Sequence, residues 1–215
     1  MNNLVIAVDG PAGAGKSTVA KIIAKKLNIN YIDTGAMYRA ITYKAIKENI
    51  NIEDEKSLIE MAKNTQIDFK ENNIYLDGQI INEEIRTLTV SSNVSKVAQI
   101  KEIREIMVDL QRKMGQKYSV IMDGRDIGSY VFKDADFKFY LTAGANERAN
   151  RRYKELKEKG HDVKLDDIIK DIQNRDEIDS KRDFAPLVKA DDAIEIDTSN
   201  KNIDEVVNDI MKYIN

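Results

Sequence analysis

The chain has 215 residues, with 34 basic against 37 acidic side chains, no cysteine and one histidine, His161. That length suits one α/β domain with an insertion, or two small domains, and either can bury a sizeable core. The near balance of charge argues against a nucleic-acid polymer as main partner. The absence of cysteine excludes thiol chemistry and disulfides, and with a single histidine it excludes the usual zinc ligand sets.

Residues 4–8 form a continuous apolar run of strand length, followed by a glycine-rich turn and then by Val19, Ile22, Ile23 and Leu27 at helical spacing. Tyr31 and Ile32 read as a second buried strand, and residues 36–47 as a helix that begins just after Gly35. A helix from about Ser57 to Asn64 precedes three short segments, 67–69, 74–76 and 80–81, whose turn residues predict a small antiparallel sheet. Helices follow at 90–98 and 101–114, and buried strands at 120–122 and 137–141. A charged helix at 146–159, another from Leu165 to about Lys181, a strand at 193–196 and a helix from Asp204 close the chain. Short strands alternating with helices predict a parallel sheet covered on both faces, with the antiparallel patch as an insertion. The start of the chain lacks the basic residues and long apolar stretch of a signal peptide, and no run reaches membrane-span length, so a cytoplasmic protein is expected.

Gly10, Pro11, Ala12, Gly13, Ala14, Gly15, Lys16 and Ser17 match G-x-x-x-x-G-K-[ST], and the match lies between a predicted strand and a predicted helix. In such a loop the backbone N–H groups curl toward phosphates at the positive end of the helix macrodipole. Lys16 is then expected to reach the β- and γ-phosphates, and the Ser17 hydroxyl to hold magnesium. A dinucleotide fingerprint fits less well, because G-x-G-x-x-G requires glycine where Thr18 stands.

The expected ligand is ATP, and the remaining motifs narrow the class. None of the ten glycines follows an aspartate at the D-x-x-G spacing, and Asn200-Lys201-Asn202 continues into Ile203, so the GTP-switch motifs are missing. A small-molecule kinase remains, which needs an acceptor site and cations for the transferring phosphoryl group. Asp123 ends a buried strand, a placement from which a carboxylate orients magnesium through water, although a turn aspartate is the plainer alternative. Beyond it, Arg125, Asp126 and Gly128 lie at the carboxyl end of that strand, where open α/β sheets place their ligands. Arg148, Arg151 and Arg152 share one face of a helix with almost no apolar stripe in its carboxyl half, so that face meets either solvent or phosphate. Arg175, Asp179 and Arg182 are spaced along one helical face and could equally be a surface ion-pair ladder. His161 reads as a solvated loop residue without a role.

Six segments together resemble bacterial cytidylate kinases: DGPAGAGKST at 9–18, DTGAMYR at 33–39, IRTLTVSSNVSKVA at 85–98, DGRDIG at 123–128, ERANRR at 147–152 and RDEIDSKRDFAPL at 175–187. The resemblance runs from Ile6 to Val188. It implies a three-layer α/β P-loop NTPase fold with a parallel sheet, an inserted small antiparallel-sheet acceptor-binding domain and a helical lid. The core would comprise residues 1–35 and 106–215, with the lid at about 144–162. The acceptor region would be 36–105, including a three-stranded sheet at about 66–84.

The same resemblance implies transfer of the γ-phosphoryl group of ATP to CMP or dCMP, in pyrimidine nucleotide metabolism. Thr34, Arg104, Asp126 and Arg182 would surround the cytosine ring, Arg39 and Arg125 would bind its phosphate, and Ser95, Arg175 and Asp179 would meet the ribose. Arg148, Arg151 and Arg152 would close over the donor phosphates, with Thr18 and Arg151 among the ATP-binding residues. Lys16, Arg125, Arg148 and Arg152 are the expected catalytic cations, with magnesium on Ser17 and, through water, Asp123. Thr34 is often serine in relatives, and Ile178, Ser180 and Lys181 vary, which leaves the hydroxyl and the charges in place. Two other readings stay open at this point, a kinase of the same fold with another acceptor and a nucleotide-switched interaction module. A monomer is expected from the charged composition.

Overall fold

The computed structural model describes residues 3–71, 73–158 and 160–214. The expected helix end at Lys159, the outermost ends of the expected core at 1–2 and 215, and Asn72 within the expected sheet lie outside the described residues. In chain order the elements are β1 (Val5–Asp9), α1 (Lys16–Leu27), β2 (Asn30–Asp33), α2 (Thr34–Lys47), α3 (Glu55–Lys63), β3 (Ile67–Lys70), β4 (Asn73–Leu76) and β5 (Gln79–Ile80). Then come α4 (Leu88–Val97), α5 (Lys101–Lys117), β6 (Val120–Asp123), β7 (Phe137–Thr142), α6 (Ala145–Glu158), α7 (Leu165–Lys181), β8 (Ile194–Asp197) and α8 (Ile203–Ile214). Two short turns of helix went unforeseen, a 3₁₀ turn at Glu84–Arg86 and a π-helical turn at Ile127–Val131. Both are too short for hydrophobic periodicity to register.

The chain forms two compact units, one of residues up to Tyr31 and from Tyr118 onward, the other of residues Ile32–Lys117. The first is built on a five-stranded sheet of order β2-β6-β1-β7-β8. β1 runs parallel to both β6 and β7, and β7 runs parallel to β8. As the central strand, β1 is covered on both faces, which is why Ile6, Ala7 and Val8 are fully buried and read as an unbroken apolar run. Ile6 and Val8 share a core cluster with Val19 and Ile23 of α1, Ile121 of β6, Phe139 of β7 and Val206 and Ile210 of α8.

A satellite cluster joins α6 to α7. Ala149, Tyr153 and Leu156 recur at helical spacing on α6 and pack with Ile168 and Ile172 of α7. This corrects the expectation that the carboxyl half of α6 has almost no apolar stripe: a narrow stripe exists, diluted by lysine and glutamate on the other faces.

The second unit carries the antiparallel sheet β3-β4-β5, with Phe69 opposite Ile74 and Tyr75 opposite Ile80. Its helix α2 starts at Thr34 rather than after Gly35. Asp33 stands at the N-cap and its Oδ1 accepts from the Ala36 N–H at 2.8 Å, so the glycine falls inside the first turn. Met37 and Ile41 on this helix, Leu58 on α3 and Ile103 on α5 are fully buried.

Candidate active site

β1 feeds directly into the glycine-rich loop. Gly10 adopts φ +141°, and a Cβ there would come within 2.0 Å of the Leu141 carbonyl oxygen of β7, so only glycine lets the loop leave the sheet at this point. At Gly13 a Cβ would stand 3.0 Å from the Arg148 Cβ, which ties the loop closely to α6. No side chain caps α1 and its first turn holds no acidic residue, so the orphan N–H groups of that turn suit an anion.

Lys16 opens α1, is buried, and donates from Nζ to the Pro11 carbonyl at 2.7 Å. Burial and then the positive charge of Arg125 hold its ammonium well below the usual lysine range, with Arg175 acting in the same sense and Asp123 and Asp9 opposing. The repulsion that Lys16 feels from these guanidinium groups is relieved when a polyanion arrives among them.

The Ser17 hydroxyl donates to Asp123 Oδ2 at 2.7 Å, and the Tyr31 hydroxyl donates to Asp123 Oδ1 at 2.7 Å. A hydroxyl beside a carboxylate is an all-oxygen donor pair, which fits a hard cation such as magnesium. Among the described residues no group of three or more histidine, cysteine or acidic side chains could form a metal cage by itself.

After β6 the chain places Arg125 and Asp126. Arg125 Nε donates to Asp179 Oδ2 at 2.7 Å, and Arg182 lies near both Asp126 Oδ1 at 3.4 Å and Asp179 Oδ1 at 3.6 Å. Burial pushes the Asp179 carboxyl up, but Arg125, Arg175 and Arg182 together bring it below the ordinary carboxylate range. Asp179, Asp126 and the Arg182 side chain are all buried, so the alternative of a surface ion-pair ladder gives way to an interior network. Arg182 is also not on the helix: α7 ends at Lys181, and Arg182 turns extended so that its Nε can reach the Ala185 carbonyl at 2.6 Å.

The three arginines of α6 divide. Arg148 is buried, donating from Nε to the Ala143 carbonyl at 2.8 Å and from NH1 to the Ala12 carbonyl at 2.9 Å, with an ion pair to Asp176 at 2.7 Å. Arg151 binds the Thr198 carbonyl at 2.6 Å and pairs with Glu147. Arg152 pairs with Glu155 near the surface.

In the second unit, Asp33 Oδ2 accepts from both Arg39 NH2 at 2.9 Å and Arg86 NH2 at 3.2 Å. Thr34 is buried at the start of α2, and Ser95 is half-buried on α4. Arg104 is buried on α5, donates from NH1 to the Ala98 carbonyl at 3.1 Å and lies 5.3 Å from the Tyr38 ring centroid. Sequence reasoning passed over Asp9, Asp33, Arg86 and Asp176 as individuals. All four sit in the quoted segments, but their side-chain partners are distant in sequence or, like Arg39, could not be paired by spacing alone.

A family model described as "Cytidylate kinase" matches residues 6–215. The chain is 67% identical over 215 residues to a protein of Clostridioides difficile (strain 630) named cytidylate kinase, covering 100% of both chains. It is 59% identical over 214 residues to a cytidylate kinase of Alkaliphilus oremlandii (strain OhILAs), covering 100% of this chain and 99% of that one. Among solved structures, an uncharacterized protein from Eubacterium ventriosum ATCC 27560 aligns with a TM-score of 0.54 at 15% identity, over 99% of this chain and 98% of that chain, which speaks to the fold alone.

Proposed function

We propose that this chain, which belongs to the cytidylate kinase family and is a nucleoside monophosphate kinase, moves the γ-phosphoryl group of ATP onto CMP or dCMP, and that its residues carry the transfer as follows. The observation that carries the proposal is the buried Lys16, its ammonium lowered by burial and by the charges of Arg125 and Arg175, in a phosphate-binding loop whose Ser17 bonds to Asp123.

The glycine-rich loop from Gly10 to Ser17, with Thr18 and Arg151, binds ATP. Arg39 and Arg125 bind the acceptor phosphate, Ser95, Arg175 and Asp179 meet the ribose, and Thr34, Arg104, Asp126 and Arg182 read the cytosine. The residue types suit these roles, since guanidinium forks match phosphate oxygens and a carboxylate accepts from the cytosine amino group. An oxygen of the CMP phosphate attacks the γ-phosphorus in line while the bond to the β–γ bridging oxygen breaks, giving ADP and CDP. No protein base is required, since the attacking oxygen is already anionic. Lys16, Arg125, Arg148 and Arg152 stabilise the charge that spreads over the transferring group. Ser17 and, through water, Asp123 would hold magnesium, which would supply further neutralisation of the phosphate oxygens. Segment 144–162 serves as the lid that excludes water.

We take the protein to act in the cytoplasm as a monomer, on small molecules and away from membranes and nucleic-acid polymers. In support, no helix among the described residues is long and apolar enough to cross a membrane. The test is ADP production with CMP, dCMP, UMP, AMP, GMP or shikimate as acceptor, titrated with magnesium and repeated with Asp126→Ala. Turnover confined to CMP and dCMP, dependent on magnesium and lost in the variant, is expected. Preference for another acceptor would overturn the substrate reading.

A further inference from the structure

Asp9, the last residue of β1, precedes the phosphate-binding loop and belongs to none of the groups assigned above. Its side chain is buried: Oδ1 accepts from the Ile127 N–H at 2.8 Å and Oδ2 from the Gly128 N–H at 2.7 Å. These two N–H groups open the π-helical turn Ile127–Val131 and are the kind of donors that a helix start leaves without intrahelical partners.

The residue at the N-cap of that turn is Asp126. An aspartate there ordinarily spends its own carboxylate on the first N–H groups, yet Asp126 makes no such bond. Its Oδ1 instead lies 3.4 Å from Arg182 NH2. The Asp126 carbonyl meanwhile accepts from the N–H groups of Tyr130 at 2.9 Å and Val131 at 3.0 Å, so the backbone of Asp126 belongs to the turn while its side chain does not cap it. Asp9 does from the central strand what Asp126 would otherwise do locally.

We propose that Asp9 is a positioning residue for acceptor selection: by capping the turn after Asp126 from β1, it releases the Asp126 carboxylate to read the acceptor base and fixes the backbone that carries it. Two oxygens are needed for two N–H donors. An asparagine in the same place sets an amide NH2 against one of them, which costs a bond and adds a donor–donor clash. Asp126 can then turn back to cap its own helix, at the expense of base reading. The inference rests on the assignment of Asp126 as the base-reading carboxylate.

The experiment compares kcat and KM for CMP, UMP and ATP in the parent, Asp126→Ala and Asp9→Asn. In Asp9→Asn the preference for CMP over UMP in kcat/KM is expected to fall at least tenfold through a raised KM for CMP, with the KM for ATP changed less than twofold. A lowered Tm with all rates scaled together would mark a merely structural role and overturn the proposal. If the parent shows no preference for CMP, or Asp126→Ala retains it, the base-reading assignment fails. If both behave as assigned but Asp9→Asn keeps the preference, or raises the KM for ATP by the same factor, only the role of Asp9 is overturned. A second measurement needs no variant: the carboxyl ¹³C resonance of Asp9 in the parent is expected to move when CMP is added. An unmoved resonance under saturating CMP counts against the proposal.

Discussion

Arg125 Nε and Asp179 Oδ2 lie 2.7 Å apart, with their side chains only 17% and 7% exposed. The pair sits 54 positions apart in sequence and anchors the network that also holds Arg182. Removing the carboxylate leaves Arg125 buried without its counter-charge, so Asp179→Ala is expected to cost about 3 kcal/mol of stability in urea denaturation at pH 7. The Asp179 carboxyl is held below its ordinary range in the folded protein. Its contribution is therefore present above the unfolded value near pH 4 and is lost as pH falls through the lower folded value. Parent and Asp179→Asn should converge in stability as pH falls below the unfolded value near 4 and through the lower folded value, and diverge above it.

Asp9 behaves in the opposite sense. Burial raises its carboxyl to about 7, against the Gly128 and Ile127 N–H donors and Lys16, with Asp126 reinforcing the rise. The native state then holds a proton that the unfolded chain has released, so this group makes stability fall as pH rises from about 4 to 7. Asp9→Asn lacks that slope, which amounts to a few kcal/mol at roughly 1.4 kcal/mol per pH unit. Denaturation midpoints measured at unit pH steps should show the variant gaining on the parent across that interval.

Gly10→Ala tests the exit from β1. The added Cβ would meet the Leu141 carbonyl oxygen at 2.0 Å, and that oxygen is backbone in a central sheet. A loss of about 3 kcal/mol or more is expected, seen as a depressed Tm or failure to accumulate soluble protein.

The arginines of α6 should separate in two assays. Arg148 is held by two backbone carbonyls and Asp176, so Arg148→Ala should lower both Tm and kcat. Arg152 makes a partly exposed pair with Glu155, and Arg152→Ala should leave stability within about 0.5 kcal/mol while lowering kcat. A variant at 152 with unchanged kcat would remove that residue from the charge-stabilising set.

The strands were legible because buried parallel strands are short apolar runs, as at residues 4–8 and 120–122, where no partner need be known. Helix ends were less so. The start of α2 depended on the Asp33 carboxylate reaching Ala36, a side-chain choice that periodicity does not encode, whereas the end of α7 fell at Lys181 as expected. The apolar stripe of α6 was missed because it is one residue wide per turn and makes sense only beside α7.

By itself the sequence determined the phosphate-binding loop, the strand before it and the helix after it, since all three lie within consecutive residues whose geometry follows from local backbone sterics and hydrophobic period. It also determined the family, through motifs that are contiguous. Only the tertiary structure decided which charges face which. Asp9 meets Gly128 across 119 positions, Asp123 meets Ser17 across 106, and Arg148 meets Ala12 across 136. A side chain's partner at such separations is chosen by sheet order and packing, and its charge is set by burial that no local window contains.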